Sequence, residues 1–175
     1  MKTKLKLFTI ALLVLSIMSC SSNDDSNSDG EVYGTIQLSG PDTSSVGSTL
    51  VVGNISEDAF NTTGTSDSVV LLDENTTIEN DELVPTDFSN AFVIVAAEFT
   101  VNTEVNKAIS MTILKDGVEY SYVCSTPPTT AADNTDCGTG FSVDKIAKEI
   151  VFSNTTVINV DTETILTMNG TINYD

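Results

Sequence analysis

The chain has 175 residues, 40% of them apolar, and carries 25 acidic residues against seven basic ones for a formal net charge of −18. That is core material for one domain rather than several. All seven basic residues are Lys, with no Arg, His or Trp, which excludes bidentate phosphate recognition, imidazole base catalysis and His-ligated zinc or copper, while the charge opposes binding to nucleic acid or anionic lipid.

The first element is a leader. Lys2, Lys4 and Lys6 precede an apolar run from Leu7 to Leu15 and then small residues. This layout predicts a secretory signal over residues 1–19, too short for a comfortable membrane span. Ile17-Met18-Ser19-Cys20 resembles the bacterial lipobox, with Met18 a less usual filler. The resemblance implies cleavage before Cys20, diacylation of its sulfur and a third acyl chain on the freed amino group. Two or three chains hold a protein at a membrane where a single chain binds only reversibly. The mature chain keeps Lys107, Lys115, Lys145 and Lys148 against all 25 acids, a net charge of −21.

Ser21, Ser22, Asn23, Asp24 and Asp25 follow the lipidated Cys directly. They resemble the acidic export signal of surface lipoproteins in Bacteroidetes, which implies an outer-membrane protein facing the cell exterior. Residues 20–30 are small, polar and charged, and they read as an anchor and flexible tether. Asp25-x-Asn27-x-Asp29-Gly30 also matches the first half of a calcium loop. Its twelfth position, which needs a bidentate carboxylate, is Ile36, so the tether reading is preferred and calcium is a weak alternative.

From residue 31 the signal is β. In Glu31–Leu38, Val32, Gly34, Ile36 and Leu38 share one face, and Tyr33 points the other way. Residues 48–55 and 68–72 are further strands. Residues 91–99 are apolar on both parities, which predicts a central strand covered on both faces. Asp116-Gly117 is a type I′ turn pair. It sets Lys115 against Val118, Ile113 against Tyr120, Met111 against Tyr122 and Ile109 against Cys124. Near the end, Leu166, Met168, Gly170, Ile172 and Tyr174 share a face. In the preceding strand Phe152 and Val157 have opposite parity, which requires a bulge near Ser153 to Thr156. Only 144–149 could form a helical turn. The expected fold is all-β: one domain over 31–175, an antiparallel two-sheet sandwich of eight or nine strands, Ig-like or jelly-roll-like.

Cys124 and Cys137 bracket a polar loop with two prolines. Behind a secretory leader such a pair reads as a disulfide, and with no His or second Cys pair it is a poor zinc site. Asp73, Glu74, Glu79, Asp81, Glu82 and Asp87 crowd one polar stretch. Two such carboxylates could serve a glycoside hydrolase, although a solvated loop is the plainer expectation. Serine catalysis lacks its base, and no Lys sits in Ser-x-x-Lys. Asp67-Ser68-Val69 resembles the short O-glycosylation motif of Bacteroidetes secreted proteins, which makes Ser68 a candidate acceptor.

The strand spacing and the C-terminal residues 143–157 and 166–174 resemble those of small surface lipoproteins of flavobacteria, a resemblance that implies a β-sandwich but no activity. The expectation is a non-enzymatic binding, adhesive or accessory module, held at the outer membrane through Cys20, with an unidentified protein or glycan ligand. The alternatives are a carboxylate-dependent surface hydrolase and a calcium-dependent module.

Overall fold

The computed structural model describes residues 32–57, 68–80, 82–129 and 134–175. In chain order they form β1 (Gly34–Ser39), α1 (Thr43–Val46), β2 (Thr49–Val52), β3 (Asn54–Ser56), β4 (Ser68–Leu72), β5 (Thr76–Glu79), β6 (Glu82–Pro85), β7 (Asn90–Val101), β8 (Glu104–Lys115), β9 (Val118–Thr126), β10 (Ser142–Asp144), β11 (Glu149–Asn159) and β12 (Ile165–Asn173). The chain is nearly all-β and its strands pair antiparallel, as expected. The pairing is one ten-stranded ladder, β2-β1-β12-β11-β9-β8-β7-β4-β3, with β10 beside β11, and a separate β5-β6 pair. This differs from two separate sheets of eight or nine strands in all.

The reason lies at Gly53. The stretch read as one strand, 48–55, bends there. Its first half, β2, pairs with β1, and its second half, β3, pairs with β4. Because β2 and β3 are the two ends of the ladder, one residue joins its edges and the sheet curls back on itself. Only Gly fits, since a Cβ at position 53 would sit 2.6 Å from Cα and Cβ of Glu74.

Local chemistry sets the remaining register. Asp116 and Gly117 have φ of 52° and 76°, the left-handed pair a type I′ turn requires. All four cross-strand partners expected from that turn are found. In β11 the register slips between Phe152 and Thr155, the expected bulge, with Asn154 at φ 52°. The apolar face of β12 is buried at Leu166, Met168 and Ile172, and Tyr174 just beyond the strand is buried too.

One core fills the curl, combining Ile36, Leu50, Ile94, Met111, Tyr122, Phe152, Leu166 and Met168. Strand β7 is covered on both faces, as its double-parity apolarity predicts. Ile94 and Ala96 join that core, while Val93 and Val95 pack outward with Val70, Leu72 and Ile78. Ile78 belongs to the β5–β6 hairpin, which occupies the stretch expected to be a solvated loop. Two other local expectations fail. The short helix among the described residues is α1, outside 144–149, where residues 145–148 form a turn between β10 and β11, and Tyr33 packs against the core rather than pointing away from it.

Candidate functional site

The curl closes only in part. Beyond Gly53, β3 pairs with β4 and seals the lower half of the seam. Above it, β4 ends at Leu72 and the chain turns away through Asp73-Glu74-Asn75. Strand β2 then has no neighbouring strand on its outer side among the described residues, and a groove of about 340 Å³ opens between Thr49–Val51 and the start of β7 with the end of β8. Its floor is apolar, made of Val46, Leu50, Phe92 and Ile113. Asp73, Glu74, Asp87, Asn90 and Lys115 stand around it.

The turn chemistry that holds the rim is local. Asp73 Oδ1 accepts from the Asn75 amide at 2.8 Å, and its Oδ2 accepts from the Thr76 hydroxyl and the Phe92 amide, each at 2.9 Å. Asp87 Oδ1 accepts from the Ser89 amide at 2.8 Å and the Asn90 amide at 3.2 Å, and Oδ2 takes the Asn90 side chain at 3.2 Å. The Ser89 amide, then the Asn90 amide group, hold the Asp87 carboxyl below the usual carboxylate range. Lys115 Nζ donates to Asn90 Oδ1 at 3.0 Å.

The acidic stretch is thus divided. Asp73, Glu74 and Asp87 meet at the groove. Glu79 and Glu82 are cross-strand partners at the exposed end of the β5–β6 hairpin, and Asp81 lies outside the described residues. Among the described residues no group of three or more Asp, Glu, Cys or His is placed to hold a metal ion. Asp25, Asn27, Asp29 and Gly30 lie outside them, and Ile36, at the twelfth position of that loop, is fully buried.

Cys20 and Ser21, Ser22, Asn23, Asp24 and Asp25 also lie outside the described residues. Cys124 and Cys137 form the expected disulfide, with Cα atoms 5.1 Å apart. Its role in the fold is a wedge. Strand β9 pairs with β11 only at Ile158 and Asn159. Beyond that the strands part, and the segment at Thr135 to Cys137 stands between them. Ser125 donates its amide to Thr135 O at 2.9 Å, and Thr156 donates its amide to Cys137 O at 3.3 Å. Asp136 Oδ1 takes the Thr126 hydroxyl at 2.6 Å and the Gly138 amide at 2.8 Å. Those two bonds, the hydroxyl first, hold its carboxyl below the usual range. Ser68 opens β4 and is 4% exposed, so the folded body withholds its hydroxyl from a bulky transferase.

A second polar cluster lies at the other end of the barrel-like body. Glu57 Oε1 and Lys148 Nζ are 2.5 Å apart, and Lys148 stands 5.2 Å from the centre of the Tyr174 ring. The hydrogen bond from Lys148 is the chief reason the Glu57 carboxyl titrates below its ordinary value. The Tyr174 hydroxyl is buried on the same side as Glu57, with no hydrogen-bond partner among the described residues. Burial first, then that carboxylate, push it above the ordinary phenol range.

Sequence reasoning missed the groove because it depends on where β4 stops relative to β2, a long-range fact. The one local signal was Gly53 within an otherwise continuous strand pattern, since an isolated Gly there marks a bend or a close backbone approach. Comparison with protein-family models, curated proteins and solved structures finds no match for this chain.

Proposed function

We propose that this protein is a lipid-anchored module of the bacterial outer surface that binds a partner and catalyses no reaction. The observation that carries the reading is the sequence Ile17-Met18-Ser19-Cys20 followed at once by Ser21 to Asp25. The disulfide supports it, because Cys pairs persist in oxidising compartments. The groove supports the binding half, being concave, apolar at its floor and polar at its rim. Architecturally, we read the curled ladder as flattened and sandwich-like, with β1, β11 and β12 facing β4, β7 and β8 across the single core. The mixing of Ile36 and Met168 with Ile94 and Met111 in one cluster supports this.

The hydrolase alternative has one observation in its favour, that Asp73 and Asp87 line the same groove. Against it, Asp73 already accepts from three protein donors. Asp87 titrates low, where a general acid needs a raised pKa.

Labelled palmitate fed to producing cells tests the anchor. Wild type is expected to carry the label and sediment with membranes, and Cys20→Ala to lose both. Retention of the membrane fraction by Cys20→Ala, or an unprocessed Met1 in the mass spectrum, overturns it. Cross-linking on intact cells tests the binding half, and capture of no neighbour overturns that.

A further inference from the structure

We infer that the open half of the seam binds an extended, basic peptide segment of another protein, which adds a strand to the outer edge of β2. This rests on the binding-module reading and names its site and partner class.

The backbone of β2 supplies the first argument. In an antiparallel pair, alternate residues direct their N–H and C=O groups to the partner strand, and the others direct them away. The Leu38 amide donates to Ser48 O at 2.8 Å, so Ser48, Leu50 and Val52 face β1 and Thr49 and Val51 face outward. The same outer edge is used one step further on, where the Gly53 amide donates to Leu72 O at 3.0 Å. Above that point β4 has turned away. No backbone partner meets the amides or carbonyls of Thr49 and Val51 among the described residues.

Protein edges are normally blunted by Lys, Pro, a bulge or a covering segment. Thr49-Leu50-Val51-Val52 has no charge and no Pro, and its register with β1 is unbroken over four pairs. It is a pairing template facing a groove. The apolar floor at Leu50, Phe92 and Ile113 suits the inward side chains of an added strand, which is how edge-adding domains gain specificity.

Charge selects the occupant. Three carboxylates, Asp73, Glu74 and Asp87, border the groove against one Lys, and that Lys already donates to Asn90. Glu74 is exposed. A segment with Lys or Arg at its outward positions is complementary to this rim. A second copy of a chain with net charge −18, or its own acidic residues 24–29, meets like charge instead.

The test is amide hydrogen exchange on the full chain with an acetylated, amidated octapeptide of alternating Val and Lys, and a Val–Glu octapeptide as control. The Val–Lys peptide is expected to slow exchange at Thr49 and Val51 by roughly tenfold or more at saturation, with the Val–Glu peptide leaving them unchanged. Val51→Pro removes the outward N–H at an edge position where Pro is tolerated, and should abolish the slowing. Should that variant not fold, Glu74→Lys decides: it is expected to weaken the Val–Lys peptide about threefold or more and to favour the Val–Glu peptide. Equal binding of both peptides, no slowing in β2, or β2 protection that rises with protein concentration alone each overturns the proposal. Slowing confined to another surface sinks the seam and leaves the module standing. Failure of the cell-surface cross-linking removes the module whatever the peptides do.

Discussion

The Asp73 carboxylate accepts a hydrogen bond from the Phe92 backbone amide at 2.9 Å, just past the point where β4 ends. A side chain thus replaces the next rung of the β4–β7 ladder, whose last backbone pair is Leu72 with Val93. Asp73→Ala leaves the amide of buried Phe92 without its acceptor, at an expected cost of about 1–3 kcal/mol. The urea midpoint should fall accordingly, whereas Glu74→Ala, at an exposed side chain, should leave it unchanged.

Gly53 carries the closure. In Gly53→Val the new Cβ would meet Glu74 Cα at 2.6 Å and Glu74 N at 2.8 Å, and backbone atoms cannot step aside. Overpacking of this kind costs about 1–3 kcal/mol. Here it also separates the two ends of the ladder. Differential exchange should show β3 and β4 losing protection before β11 and β12 do.

What the sequence could reveal depended on distance along the chain. The β8–β9 register followed from Asp116-Gly117, and the β11 bulge followed from the parity conflict between Phe152 and Val157, because both are local. The double-sided apolarity of β7 correctly announced a covering layer without saying what covers it. The β5–β6 hairpin escaped notice because its apolar residues, Ile78, Leu83 and Val84, are few and set among acids. The single ladder escaped because nothing near Gly53 says that its two flanking strands pair with elements as far apart as β1 and β4. Half of the groove was visible as an acidic cluster. The other half, the free edge of β2, exists only once β4 has stopped short.

The Cys124–Cys137 bridge closes a separation of 13 residues. Loop closure of that size contributes roughly 3 kcal/mol in the chain-entropy model. The double variant Cys124→Ser, Cys137→Ser should lose about that much stability on denaturant titration. Exchange should rise first at Ser125 and Thr156, whose amides donate to the wedge.

Alkaline pH should destabilise the protein through its buried phenols. Burial, and then the neighbouring Asp42 carboxylate, push Tyr122 above the ordinary phenol range, while a bond with Asn159 opposes them. Its hydroxyl donates to Asp42 Oδ2 at 2.9 Å, beside the Thr164 hydroxyl at 2.6 Å. A phenol raised in the folded state adds stability that is complete below about pH 10 and is lost as pH climbs from there toward the folded pKa. Melting temperature should therefore fall steeply above that point. Tyr122→Phe should be less stable at neutral pH and show a flatter alkaline limb.

Val32 and Asp175 lie side by side with Tyr33 and Tyr174, at the end where β1 begins. Helix α1, the Asp116–Gly117 turn and the groove gather at the end where β1 finishes. The groove and the residues that begin β1 therefore lie at opposite ends of the body, so a change at Tyr33 or Tyr174 should leave the groove's lining in place.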